Sequence, residues 1–129
     1  MADSAVDKRP LSPHLQIWRF TPTMAASITH RGTGVALYVG NILLALWALS
    51  LVVSPALFAP FSALIASPVG TVIFFLYAWA LIFHLIGGLR YLYYDRGRGM
   101  APKTATMMAI VNYLLAFVLA GAMVFARIS

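Results

Sequence analysis

Two short stretches of this chain place polar and ionisable side chains where apolar surroundings make them expensive. The first, "SITHRGTG" (Ser27–Gly34), puts a Ser, a His and an Arg close together at the doorway of a long apolar run. The second, "FHLIGGLRYLYYDRGRG" (Phe83–Gly99), carries His84 inside an apolar run, with Gly88 and Arg90 following it. An imidazole nitrogen can ligate a metal, a hydroxyl can donate to a carbonyl oxygen, and a guanidinium can stabilise an anion. The chemistry on offer is therefore metal ligation, recognition of a polar head on an apolar molecule, and stabilisation of negative charge.

The elements that must hold these groups follow from composition. The chain has 129 residues, 62% hydrophobic and only 9% charged, far from the balance of a soluble domain. Between Arg31 and Arg90 there is no Asp, Glu, Lys or Arg. A chain of this kind belongs in a bilayer. The formal charge of +6 does not indicate nucleic acid, because the basic residues sit in short segments flanking apolar runs, as membrane topology requires. Cysteine is absent, which excludes disulfides, thiolate-held zinc and iron–sulfur clusters within the chain. The first 30 or so residues are polar, contain Asp3 and Asp7, and lack the apolar core of a secretory signal. Those acidic residues also argue against a mitochondrial presequence. A multi-pass protein of a bacterial inner membrane is expected, with a mitochondrial inner membrane the weaker alternative.

A spanning helix needs about 20 apolar residues. Three segments supply them, so an all-α protein with three transmembrane helices in one domain, 1–129, is expected. Gly32–Val53 gives the first span, closed by Pro55, after a cytoplasmic N-terminal segment, 1–31. Val69–Tyr93 gives the second, opened by Pro68, and Thr104–Ala126 the third, between Lys103 and Arg127. The uncharged, Pro-containing "SPALFAPFSALIASP" between the first two is expected to be a loop with a short interfacial helix.

His84 is the histidine within a span, and an intramembrane ionisable residue points to function. Gly88, at i+4, lies on the same helical face and leaves a slot beside the imidazole that a planar macrocycle could fill. Arg90 lies about 9 Å nearer the cytoplasm, near the expected depth of His30 and Arg31, where the propionates of a haem held by His84 would need cationic partners. Structural alternatives stand beside each reading. His84 could donate to a carbonyl of a neighbouring helix, Gly87 and Gly88 could allow close helix approach, and Ser27 could cap the first span. His14 and His30 are expected on the cytoplasmic side, too far in depth from His84 to ligate the same iron. Met107, Met108 and Met123 match its depth no better, so the second axial ligand is expected from another chain. Trp18, Tyr93 and Tyr94 read as interfacial aromatics, with Trp18 a further candidate to cover a bound ring.

"RPLSPHLQIW" followed by "SITHRGTG", and then "HLIGGLRYLYYD" in the second span, resembles the cytochrome b membrane-anchor family of succinate dehydrogenase. The resemblance covers most of the chain in order and spacing, whereas the third span matches only in length and apolarity. Tyr91 stands where the family often has a second His. The resemblance implies haem b shared with a second small membrane anchor, His84 as axial ligand to the iron, and Gly88 packed against the macrocycle. It further implies His30, Arg31 and Arg90 at the propionates, with Ser27 and Arg31 lining a ubiquinone-reduction pocket. The implied partners are that second anchor, an iron–sulfur subunit and a flavoprotein subunit, which perform the dehydrogenase chemistry; no catalytic residue is assigned to this chain. The alternatives are a fumarate reductase-type anchor working with menaquinol and a haem-free structural anchor. A proton-coupled transporter is disfavoured, since the spans contain no carboxylate.

Charge asymmetry sets the orientation. Lys8, Arg9, Arg19 and Arg31 precede the first span, Arg96, Arg98 and Lys103 lie between the second and third, and the loop after the first carries no charge. The positive-inside rule predicts a cytoplasmic N-terminus and an external C-terminus. A reporter active only outside the membrane should give signal when fused after Ser129 and none near Gly97. The opposite pattern would mean an inverted topology.

Overall fold

The computed structural model describes residues 18–129. The "RPLSPH" segment, His14, Lys8 and Arg9 lie outside the described residues. Those described form α1 (Pro22–Val53), α2 (Pro55–Ala66), α3 (Pro68–Asp95) and α4 (Pro102–Ile128). Each helix opens with proline in its first turn, where the missing N–H costs no hydrogen bond. A hydroxyl caps three of these starts: Thr21, Ser54 and Ser67 accept from the backbone N–H of Met24, Ala56 and Gly70. Ser54 both ends α1 and caps α2, and Ser67 does the same between α2 and α3.

Three of the helices are long and apolar enough to span a membrane. The second and third expected spans agree with α3 and α4 to within two residues at each end. The first does not. Helix α1 begins at Pro22 rather than Gly32, because the Thr21–Pro22 pair supplies a complete start signal upstream of the polar residues. Ser27 is therefore inside the helix, and the capping role expected of it falls to Thr21. At 1.5 Å per residue α1 is about 48 Å long, so it extends beyond a hydrocarbon core of about 30 Å. Helix α2, with 12 residues, is too short to cross.

Helix α3 packs against both α1 and α4, and α2 bridges the ends of α1 and α3. Where the helices meet, the buried side chains are mostly small: Ala26 on α1, Ala78 and Ala80 on α3, Ala109, Ala116 and Ala120 on α4. In lipid, apolar side chains gain little by leaving their neighbours for one another, so close backbone approach and dispersion must hold the bundle. Phe83 is the large exception. It is fully buried, with its ring 4.7 Å from that of Tyr113 and 5.4 Å from that of Trp79. The Tyr113 hydroxyl in turn meets that of Thr29 at 2.6 Å, tying α4 to α1. At the other end of α4, Arg127 donates to the Ile65 carbonyl and lies over the Phe74 ring.

Candidate functional site

The early start of α1 carries His30 into the bundle, two turns inside the helix. Helices α1 and α3 run antiparallel, which brings His30 opposite His84. Their rings stack with centroids 3.9 Å apart and planes 16° from parallel. His30 Nε2 lies 3.1 Å from the His84 carbonyl oxygen, and His84 Nδ1 lies 3.1 Å from the His30 carbonyl oxygen. Carbonyl oxygens only accept, so each imidazole donates through the nitrogen named. The exchange is reciprocal, each histidine bonding the backbone of the other. The depth difference expected between these two histidines is thus corrected, and the reason is the position of the first helix start.

The tautomers follow. With its proton on Nδ1, His84 presents an Nε2 lone pair, and that nitrogen makes no hydrogen bond among the described residues. Metal-binding histidines share this arrangement, donating one ring N–H to a carbonyl and ligating through the other nitrogen. Depth does not keep His30 from sharing an iron with His84, but orientation does. The two rings are stacked face to face, and His30 Nε2 is engaged with the His84 carbonyl.

The two glycines after His84 separate cleanly. A Cβ on Gly87 would lie 2.5 Å from His30 Cδ2 and 3.4 Å from Asn112 Nδ2, so Gly87 is the point of close approach between α1, α3 and α4. A Cβ on Gly88 would meet nothing within 4 Å. Helix packing accounts for Gly87, and open space beside the His84 face remains at Gly88.

Arg90 is buried, 5% exposed, and its Nε and Nη1 have no hydrogen-bond partner among the described residues. Its guanidinium carbon lies 5.4 Å from the centre of the Tyr91 ring and 5.8 Å from that of Tyr94, whose own hydroxyl is buried without a partner. His30 meets the same Tyr91 ring edge-on at 5.2 Å. A small cavity of about 230 Å³ between α3 and α4 is lined by Arg90, Asn112 and Met108 among others. Asn112 is fully buried; its amide nitrogen reaches the Phe83 carbonyl, while its side-chain oxygen has no partner. A buried cation without an anionic partner is costly.

Ser27 and Arg31 lie one turn apart on α1, and Gly34 continues their stripe to the His84 ring. Arg31 is exposed and its Nε donates to the Ser27 carbonyl at 3.4 Å. His30, His84 and Arg90 are thus brought together with Tyr91, while Ser27 and Arg31 flank them on the open rim. Thr33 and Asn112 were not singled out by sequence reasoning, and Tyr91 only as a position where the family often has a second His; Thr33 stood within the quoted motif, but its neighbour His84 is distant in sequence. Among the described residues no three His, Asp or Glu side chains converge as a metal centre. An ion held through His84 must bring its other donors with it, as a porphyrin does.

These features define a small three-span membrane protein whose polar site sits at one end of the bundle, open on one side. The chain belongs to the succinate dehydrogenase/fumarate reductase transmembrane subunit family, whose model matches residues 5–123. It is 43% identical over 105 residues to the succinate dehydrogenase cytochrome b556 subunit of Paracoccus denitrificans, covering 81% of each protein. It is 35% identical over 101 residues to the protein of that name in Rickettsia felis, covering 78% of each. The mitochondrial cytochrome b560 subunit of Sus scrofa is 35% identical over 112 residues, and the match takes in 83% of this chain and 64% of that longer protein.

Packing predicts opposite outcomes for adjacent glycines. Gly87→Ala forces the His30 ring to move and should destabilise the helix bundle by about 1–3 kcal/mol, as overpacking does. Gly88→Ala should leave it unchanged within about 0.5 kcal/mol. Thermal denaturation of the purified protein in detergent measures both; equal effects would contradict the geometry.

Proposed function

We propose that this chain is the cytochrome b membrane anchor of a succinate dehydrogenase, sharing haem b with a second small anchor subunit and forming part of the ubiquinone-reduction site. The observation that carries this reading is the pinned His84: Nδ1–H is fixed on the His30 carbonyl and Nε2 is left for a ligand. Gly88 supplies open space on the same face, and the unpartnered Arg90 nitrogens suit an anion such as a propionate. His30, which like Arg90 packs against the Tyr91 ring, and Arg31 belong to the same propionate-facing end. The names of the relatives support both the cytochrome and the succinate side of the assignment.

A bound haem supplies one-electron redox chemistry. This chain's own residues bind and orient. His84 would hold the haem iron through Nε2, with a further ligand supplied by the partner anchor. At the rim, Ser27 donates from its hydroxyl to a carbonyl oxygen of ubiquinone, and Arg31 stabilises the negative charge that develops there as electrons arrive. Those electrons originate in the flavoprotein and iron–sulfur subunits. The setting is a bacterial inner membrane, with the polar site at its cytoplasmic face.

Replacing His84 by Leu in the assembled complex should abolish or reshape the low-spin haem signal in a reduced-minus-oxidised spectrum. An unaltered low-spin spectrum would exclude His84 as the ligand.

The quinone site is tested by comparing two assays of succinate oxidation, one with quinone and one with an artificial acceptor that takes electrons from the soluble subunits. Arg31→Leu should reduce the quinone-dependent rate by about 10²–10³-fold, the scale found on removing a group that faces a developing oxyanion. Ser27→Ala removes one neutral hydrogen bond of about 0.5–1.5 kcal/mol, roughly a tenfold loss at most. The artificial acceptor rate should be preserved in both. Equal losses in the two assays would indicate failed assembly instead, and full quinone activity in both variants would remove these residues from the site.

A further inference from the structure

We infer that Thr33 is a positioning residue for His84, holding its tautomer and tuning its strength as an iron ligand. This rests on the reading of His84 as axial ligand.

Thr33 is 4% exposed, between α1 and α3. Its Oγ1 lies 2.9 Å from the His30 carbonyl oxygen and 3.3 Å from His84 Nδ1. The same carbonyl accepts from His84 Nδ1 at 3.1 Å. Three polar atoms thus share two protons, and only one arrangement satisfies them all. A hydroxyl has one proton and two lone pairs. If Thr33 donated to Nδ1, that nitrogen would have to be unprotonated, and its lone pair would face the carbonyl oxygen across 3.1 Å. With Thr33 donating to the carbonyl, its own lone pair is turned to the Nδ1–H. That proton then sits between two acceptors, the His30 carbonyl and the Thr33 hydroxyl.

Two consequences follow for the other end of the ring. The proton cannot move to Nε2 without setting a bare Nδ1 lone pair against the His30 carbonyl oxygen and the Thr33 oxygen in apolar surroundings, so the lone pair stays on Nε2. Acceptors on the distal N–H also raise the basicity of a ligating imidazole. A more basic ligand favours oxidised over reduced iron, so Thr33 holds the midpoint potential of the haem down. Any residue at this position fills space, but only a hydroxyl makes these two bonds.

The test uses the purified haem-containing complex and redox titration of its low-spin haem. Thr33→Val keeps the shape and removes the hydroxyl; the potential should rise. Thr33→Ser keeps the hydroxyl and should restore the parent value. Should Thr33→Val fail to assemble, Thr33→Ala is titrated in its place with the same expectation. A potential unchanged or lowered without the hydroxyl, in a complex whose haem signal is lost in His84→Leu, overturns the role of Thr33 while leaving the ligand assignment standing. A parent low-spin signal that survives unaltered in His84→Leu removes the ligand assignment and this inference with it.

Discussion

An imidazole in apolar surroundings must have its N–H answered, and here two histidines answer each other through the backbone. His30 donates to the His84 carbonyl and His84 to the His30 carbonyl, with the rings stacked between them. Each bond joins a side chain of one helix to the main chain of the other, so α1 and α3 cannot slide by a turn without breaking both. Unmet polar groups in lipid are costly, which makes this pair a register mark for the two helices. Because a backbone carbonyl carries half of the exchange, the geometry depends on helix position as much as on side-chain identity.

Other features of the bundle serve that junction. Gly87 permits the His30 ring to lie against α3, and the buried alanines of α4 let it approach closely enough for Asn112 to reach the Phe83 carbonyl. The Tyr113–Thr29 contact fixes α4 against the first turns of α1, just before His30. The helix starts contribute as well. Hydroxyl–proline pairs at Thr21, Ser54 and Ser67 fix where α1, α2 and α3 begin, and hence which residues face one another lower down.

The polar groups the bundle does not answer are as informative as those it does. Two Arg90 nitrogens, the Tyr94 hydroxyl and the Asn112 side-chain oxygen, all on α3 and α4, are buried without partners among the described residues. Large apolar side chains on the outward faces of all three long helices remain exposed, as lipid or a neighbouring helix requires. Membership of a family of transmembrane subunits is consistent with both observations.

Much of this was present in the sequence. The uncharged interval from Arg31 to Arg90 is incompatible with a soluble fold, Pro68 marks the start of the second span, and Lys103 and Arg127 bracket the third. The "SITHRGTG" and "HLIGGLRYLYYD" stretches identified the family before any geometry was known. What hydropathy did not show was where α1 begins. Hydropathy finds the apolar run, whereas the helix starts at its cap, and the Thr21–Pro22 signal lies upstream of the run. That offset of three turns placed His30 outside the bundle on paper and inside it in fact. Tertiary structure alone then decided which glycine is a packing contact and which faces open space, since Gly87 and Gly88 differ by only about 100° around α3. It also decided the tautomer of His84, because Nδ1 finds its acceptors on α1, at His30 and Thr33, across a distance in sequence over which no local pattern carries information.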